Sequence, residues 1–117
     1  MRATVLIVDD HEVFRSSTAA LLQAEGFTTV GGVADGGGAV DAVKRLRPDV
    51  VLLDVQLPDL DGFVVAERLA AIPDPPRVVL ISSRDGASYG RRLERAPVCG
   101  FLAKRELSGA SLAALLG

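Results

Sequence analysis

The chain has 117 residues, of which 49% are hydrophobic, and its 13 basic and 15 acidic side chains leave a formal net charge of −2. This length predicts one domain, 1–117, with a single core. The charge argues against nucleic acid binding by this domain, and four Phe, one Tyr and no Trp argue against a base-stacking platform.

The pattern of apolar residues alternates short β-branched runs with longer helical periods. Five strands are predicted, at 5–8, 28–33, 50–53, 78–81 and 98–102. Helices are predicted after each of them, at 13–25, from an N-cap at Asp35 to 46, at 62–72, 88–96 and 107–116. The residues expected to face the core are Phe14, Thr18, Leu21, Leu22, Val40, Val43, Leu46, Tyr89, Leu93 and Ala96.

Continuous apolar strands alternating with helices predict a parallel sheet that is covered on both faces. Right-handed crossovers then give a doubly wound α/β fold. Five strands fit the flavodoxin-like order 2-1-3-4-5 better than the six-stranded dinucleotide-binding fold.

No apolar run approaches the ~20 residues of a membrane helix, and no charged leader with a long apolar stretch opens the chain. The single cysteine, Cys99, cannot form an internal disulfide, and we expect it to be a small buried strand residue. We therefore expect a cytoplasmic protein with no membrane association.

Polar residues follow four of the predicted strands. Asp9 and Asp10 follow the first, Asp54 the third, Ser82 the fourth and Lys104 the fifth. Because these strands would be neighbours, their carboxyl ends should place the polar side chains in one crevice, where such folds bind ligands.

Clustered carboxylates repel one another, and a hard divalent cation that prefers oxygen ligands, Mg²⁺, would relieve that repulsion. A metal, an ammonium and a hydroxyl together suit phosphoryl transfer. One carboxylate could act as the nucleophile and become an acyl phosphate, and Asp54, alone at the centre of the edge, is the best candidate.

Four segments resemble the receiver domains of two-component response regulators, in the expected order: 5–11 (VLIVDDH), 50–62 (VVLLDVQLPDLDG), 78–83 (VVLISS) and 100–104 (GFLAK). The Asp-Asp-His sequence and the residue after the lysine, Arg105, resemble the branch that usually carries a helix-turn-helix output domain. No such domain is present, so the chain is either a natural stand-alone receiver or one trimmed from a longer regulator. Arg105 replaces the proline of many receivers, and we expect a trans peptide bond before it.

The resemblance implies a role for each matching residue. Asp54 would be the phosphoacceptor, and Mg²⁺ would be held by Asp9, Asp10, Asp54 and the backbone carbonyl of Gln56. Ser82 and Lys104 would hold phosphoryl oxygens, and Phe101 would be the aromatic switch residue that moves with Ser82.

The resemblance also implies partners. The phosphodonor would be a histidine kinase or a histidine phosphotransfer protein. The surface of the fourth helix, fifth strand and fifth helix would transmit the signal, and a homodimer could form through the fourth or fifth helix.

Two other classes of function stay open. The first is a magnesium-dependent phosphohydrolase, against which stand the absence of a substrate-binding insertion and Gln56, where such enzymes usually carry a second aspartate. The second is a binding module, either a flavodoxin-like domain or a receiver that no longer phosphorylates. A flavin site would need a Ser/Thr-rich first turn, and the complete acidic set with Lys104 argues against a degenerate receiver.

Three further features have simpler structural interpretations. His11 is expected at a loop-to-helix junction facing solvent, without a catalytic role. The Gly36-Gly37-Gly38 run lacks the lysine of a phosphate-binding loop and is interpreted as a helix start. The basic residues Arg91, Arg92 and Arg95 are expected to form a solvated helix face, with a partner surface as the alternative.

Overall fold

Five short apolar segments form one parallel sheet in the computed structural model, which describes residues 2–117. The strands are β1 (Thr4–Val8), β2 (Thr28–Val33), β3 (Val50–Asp54), β4 (Arg77–Ser82) and β5 (Gly100–Ala103). Their order in the sheet is β2-β1-β3-β4-β5, as predicted. The predicted single domain, 1–117, includes Met1, which lies outside the described residues.

Helices connect successive strands and cover both faces of the sheet. They are α1 (Glu12–Ala24), α2 (Gly36–Leu46), α3 (Gly62–Ala70), α4 (Arg91–Arg95) and α5 (Gly109–Leu116), with 3-10 turns at Gly86–Ser88 and Lys104–Glu106. The doubly wound flavodoxin-like fold is therefore confirmed. No helix in the described range 2–117 is long and apolar enough to span a membrane.

The central strand β3 is buried over its whole length because both of its faces are covered. Val51 and Leu53 pack in the core on the side of α2 and α3. Val50 and Leu52 pack on the opposite side, where α1 and α5 supply Leu22 and Leu112. This alternation explains the continuous apolar run in the sequence.

Two residues predicted to face the core keep more than a third of their surface exposed. Leu21 is 39% exposed because its neighbour Leu22 occupies the core-facing position of α1. Leu46, 37% exposed, ends α2 above Gly31 of the edge strand β2, where the sheet covers only part of its side chain. The Asp35 cap is as predicted, since its carboxylate accepts the Gly38 N–H at 2.6 Å.

The predicted helix 88–96 is interrupted at Gly90. This residue has φ +52° and ψ −127°, a conformation that costs any other residue strain, so a regular helix cannot pass through it. Only Arg91–Arg95 remain α-helical, although Tyr89, Leu93 and Ala96 still pack against the core as predicted.

The fifth strand begins two residues later than predicted, at Gly100. Cys99 precedes the strand and is exposed, so the prediction of a buried strand cysteine is wrong. Its N–H nevertheless donates to the Val78 carbonyl at 2.8 Å, where this edge of the sheet begins.

Candidate functional site

The register of the sheet brings four polar residues together at the carboxyl ends of its strands. Val8 is paired with Leu53, so Asp9 and Asp54, the next residues, lie side by side. Ser82 is paired with Ala103, so Lys104 follows directly at the same edge. The predicted crevice therefore forms, and Asp9, Asp54 and Ser82 are buried within it.

Lys104 bridges two of the carboxylates. Its Nζ lies 2.5 Å from Asp9 Oδ2 and 3.1 Å from Asp54 Oδ2, while its side chain is only 17% exposed. The ammonium also lies 4.4 Å from the centroid of the Phe14 ring, a cation–π contact. Burial lowers the pKa of Lys104, but the two carboxylates outweigh it and hold that pKa above its ordinary value.

Asp54 is the carboxylate with the raised pKa. Burial raises its pKa, although the Gln56 N–H, which donates to Oδ1 at 3.0 Å, and the Lys104 ammonium both oppose the shift. Burial acts in the same direction on Asp9. There the Lys104 ammonium and the His11 N–H outweigh it, so that the pKa of Asp9 lies below its ordinary value.

Asp10 and His11 form the open side of the crevice. The Asp10 side chain is 38% exposed and that of His11 is 70% exposed. His11 Nδ1 lies 3.1 Å from Asp9 Oδ1 and 3.2 Å from Asp10 Oδ1. His11 lies at the N-cap of α1, the predicted loop-to-helix junction, and faces solvent as expected.

The acidic residues fit a divalent cation. Ligand atoms of Asp9, Asp10, His11 and Asp54 all lie within 4.8 Å of one another. Asp9 Oδ2 is buried without a correctly oriented hydrogen-bond donor, because the nearby Lys104 ammonium contacts it by charge but not in hydrogen-bond geometry. A buried carboxylate oxygen without a hydrogen-bond donor is well suited to coordinate a metal. Mg²⁺ prefers oxygen ligands, so the three carboxylates are better ligands for it than the His11 imidazole.

Hydrogen bonds hold the loop after β3 in place. Gln56 pairs with Asp61 in an antiparallel bridge, and Asp61 in turn caps α3 by accepting the Phe63 N–H at 2.8 Å. Asp59 accepts the N–H groups of Gly36 and Gly37 at 2.8 and 3.0 Å, which lowers the pKa of Asp59. These contacts fix the backbone around Gln56, whose carbonyl is the predicted metal ligand.

Ser82 lies at the site, but its hydroxyl is engaged elsewhere. Its Oγ accepts the Arg84 N–H at 3.0 Å and lies 2.5 Å from the phenol oxygen of Tyr89. The Phe101 ring packs against the Tyr89 ring, with the ring centroids 5.8 Å apart. The helical period of residues 88–96 predicts Tyr89 in the core but gives no partner for its hydroxyl. The only indication of one is that a half-buried tyrosine hydroxyl usually needs a hydrogen-bond partner.

Some of the arginines after β4 form ion pairs with aspartates and others do not. Arg92 pairs with Asp61 and lies over the Phe63 ring, with 4.3 Å from Cζ to the ring centroid. Arg91 and Arg95 are exposed, as a solvated face requires. Arg105 pairs with Asp85 and, as predicted, follows a trans peptide bond.

Comparison with known proteins identifies the family. Residues 5–115 match the response regulator receiver domain. A transcriptional regulator of Pseudomonas aeruginosa is 36% identical over 87% of this chain and 49% of its own length. The virulence-factor transcription regulator BvgA of Bordetella pertussis is 33% identical over the same shares. The chain thus spans about half the length of the curated relatives it matches.

A solved structure agrees with this. The signal receiver domain of the response regulator NarL from Mycobacterium tuberculosis superimposes with a TM-score of 0.86 at 32% identity, over 99% of this chain and 98% of that one. The chain therefore belongs to the response regulator receiver domain family, the signalling switches of two-component systems.

Proposed function

Starting from that family membership, we propose that this domain accepts a phosphoryl group on Asp54 from a histidine kinase or a histidine phosphotransfer protein, in a reaction that depends on Mg²⁺. The observation that carries the proposal is the convergence of Asp54, Lys104 and two further carboxylates at one sheet edge. In this function the domain is a switch whose only chemistry is its own phosphorylation and dephosphorylation. It would act in the cytoplasm, where its donors are found.

Asp54 is suited to be the nucleophile by its position. An oxygen of its carboxylate would bond to phosphorus while the bond between phosphorus and the donor's imidazole nitrogen breaks, and that nitrogen would keep the electron pair. The product is an acyl phosphate on Asp54. The hydrogen bond from the Gln56 N–H to Oδ1 fixes the carboxylate, and its other oxygen, Oδ2, faces Lys104.

Lys104 would change partners during the transfer. In the unphosphorylated domain its ammonium is shared between Asp9 and Asp54. A phosphoryl oxygen on Asp54 would offer it a stronger charge-assisted hydrogen bond. Lys104 would thus stabilise the transferred group as its charge reaches the site.

The acidic residues of the crevice would hold the metal. Asp9, Asp10 and Asp54 lie together there, and with the Gln56 carbonyl they would offer the oxygen ligands that Mg²⁺ prefers. When bound, the metal would neutralise the negative charge that accumulates as a phosphate meets several carboxylates. His11 lies beside these groups and has no assigned role in the transfer.

Phosphorylation would then alter the surface of α4, β5 and α5. Ser82 would donate a hydrogen bond from its hydroxyl to a phosphoryl oxygen, and Phe101 would follow it inward. This is a shift of population between two states, driven by contacts that only the phosphorylated site offers. The changed surface would serve a partner protein, a second copy through α4 or α5, or the output region of a transcription regulator such as those that resemble this chain. Nucleic acid binding would belong to that output region and not to this domain.

The test uses a small phosphodonor in place of the kinase. The protein is incubated with acetyl phosphate and Mg²⁺ and its intact mass is measured, with a chelated sample in parallel. The proposal predicts the gain of one phosphoryl group with the metal and none with the chelator. Equal gain in both samples would contradict the role of the metal, and steady release of phosphate from small phosphoesters would instead favour a phosphohydrolase.

A further inference from the structure

Tyr89 occupies the position between the phosphorylation site and α4. Its hydroxyl lies 2.5 Å from Ser82 Oγ, and its ring packs against those of Phe63 and Phe101, with centroids 5.7 and 5.8 Å away. It is the only tyrosine in the chain. No other hydroxyl contacts Ser82 within residues 2–117, and Phe101, the aromatic residue of β5, has none to offer.

The Ser82 hydroxyl already has two hydrogen-bond partners. A serine oxygen carries one proton and accepts two hydrogen bonds. The Arg84 N–H fills one acceptor position, and Tyr89 takes part in a second bond. Either oxygen can be the donor in the bond between Ser82 and Tyr89, and no hydrogen bond joins Ser82 to Asp54 in the described part of the chain. If the Ser82 side chain turns away from Tyr89 toward a phosphoryl group on Asp54, its 2.5 Å contact with the phenol is lost.

Tyr89 also restricts the movement of Phe101. The Phe101 ring lies against the Cα of Gly86, where an added Cβ would be 3.3 Å from the ring. It also packs against the Tyr89 ring, whose hydroxyl contacts Ser82. A movement of Phe101 toward Ser82 would therefore be coupled to a movement of Tyr89.

The backbone beside Tyr89 leaves room for such a movement. Gly90 follows it directly with a positive φ, and no atom lies within 4 Å of the position that a Cβ would take. The α4 helix beyond it has only five residues. The Tyr89 ring also packs against Phe63, and the Arg92 guanidinium lies over the Phe63 ring. A change at Tyr89 would thereby reach Arg92 of α4.

We propose that Tyr89 restrains the Ser82 hydroxyl in the unphosphorylated domain and is released when Ser82 turns to the phosphoryl group, so that its phenol performs the coupling that Phe101 cannot. The proposal rests on the phosphorylation of Asp54 proposed above. It makes Tyr89 a positioning residue that acts through Ser82. Its release is the step that links the phosphorylated site to α4.

The experiment follows the ring of Tyr89 itself. Protein labelled with ¹³C-tyrosine gives one set of ring signals, because the chain has a single tyrosine. Spectra are recorded for wild type before and after treatment with acetyl phosphate and Mg²⁺, and the phosphoryl gain is measured by intact mass on the same samples. Unphosphorylated Ser82→Ala, which cannot bond to the phenol, provides the reference signal for a released Tyr89.

The proposal predicts that phosphorylation moves the wild-type ring signals toward those of unphosphorylated Ser82→Ala. A confirmed phosphoryl gain with unchanged ring signals would overturn the role of Tyr89 and leave the phosphorylation intact. Failure to gain a phosphoryl group would overturn both.

A second variant tests whether the Tyr89 hydroxyl slows or speeds phosphorylation. Tyr89→Phe keeps the ring and removes the hydroxyl, so it frees Ser82 without disturbing the packing between Phe63 and Phe101. We expect it to accept the phosphoryl group from acetyl phosphate about fivefold faster than wild type, the equivalent of one neutral hydrogen bond. A slower reaction would mean that Tyr89 prepares Ser82 for its task instead of restraining it, and would contradict the proposal.

Discussion

Lys104 and Asp54, fifty positions apart in the chain, lie side by side at the sheet edge, with Lys104 Nζ 3.1 Å from Asp54 Oδ2. The same ammonium lies 2.5 Å from Asp9 Oδ2. Lys104 is thus the counter-ion of two buried carboxylates before any phosphate arrives. It is both a structural charge and the group that the proposed phosphorylation would redirect.

Lys104→Met should therefore destabilise the domain in the absence of a metal. It leaves Asp9 and Asp54 buried without their cation, and we expect the free energy of unfolding to fall by about 1–3 kcal/mol. Urea denaturation with and without Mg²⁺ checks this. Because a bound cation would replace the lost charge, the difference from wild type should shrink when Mg²⁺ is present. A difference that Mg²⁺ leaves unchanged would argue against metal binding between these carboxylates.

Gly62 lies where no side chain fits. A Cβ there would be 2.6 Å from Val55 Cα and would also collide with the Asp54 carbonyl. Gly62→Ala should lower the free energy of unfolding by about 1–3 kcal/mol and displace Asp54. Because Asp54 is displaced, Gly62→Ala should be phosphorylated by acetyl phosphate more slowly than wild type.

Gly37→Ala is the matched control for Gly62→Ala. At Gly37 a Cβ would meet Asp59 only at an ordinary 3.6 Å, in the first turn of α2. This variant should be neutral or more stable than wild type by up to about 1 kcal/mol, since alanine favours a helix. Equal losses in both variants would show that crowding near Asp54 is not the cause.

Asp59 should make the stability of the domain depend on pH. Because its pKa is lower in the folded state, its contribution is fully present above the unfolded pKa and is lost as the pH falls through the folded pKa. Asp59→Asn should thus be less stable than wild type at neutral pH, and the two should converge in acid. Thermal unfolding across this pH range measures the difference. Asp41→Asn, which removes an exposed acid on α2, is the matched control for the loss of one carboxylate.

Asp10 should contribute to magnesium affinity more than to stability. Its carboxylate is 38% exposed and does not take part in the ion pairs of Lys104. It nevertheless lies within the cluster that could hold a metal. Asp10→Asn should weaken Mg²⁺ binding by about tenfold or more, with little change in thermal unfolding without the metal. Calorimetric titration with Mg²⁺ measures this directly. Affinity equal to that of the Asp41→Asn control would remove Asp10 from the proposed ligands.

The sheet order and the meeting of Asp9, Asp54, Ser82 and Lys104 could be predicted from the sequence for one physical reason. Parallel strands end at a common edge, so residues that follow different strands must converge there. The buried strands are also continuous apolar runs, which makes their ends easy to locate. The errors at Leu21, Leu46 and Cys99 fall where packing against an edge strand or a neighbouring residue decides exposure.

The region after β4 could not be predicted to the same extent. A helical period through residues 88–96 gives no sign that Gly90 adopts a positive φ, because glycine also occurs within helices. The turn that results is what places the Tyr89 hydroxyl on Ser82. A hydrogen bond between two side chains depends on such details of the backbone and does not follow from periodicity.

The central claim, that Asp54 is the phosphoacceptor, is tested most directly by comparing two aspartate variants. Wild type, Asp54→Asn and Asp41→Asn are incubated with acetyl phosphate and Mg²⁺, and their intact masses are measured. We predict one added phosphoryl group on wild type and on Asp41→Asn, and none on Asp54→Asn. A phosphoryl group on Asp54→Asn would place the acceptor elsewhere and contradict the account.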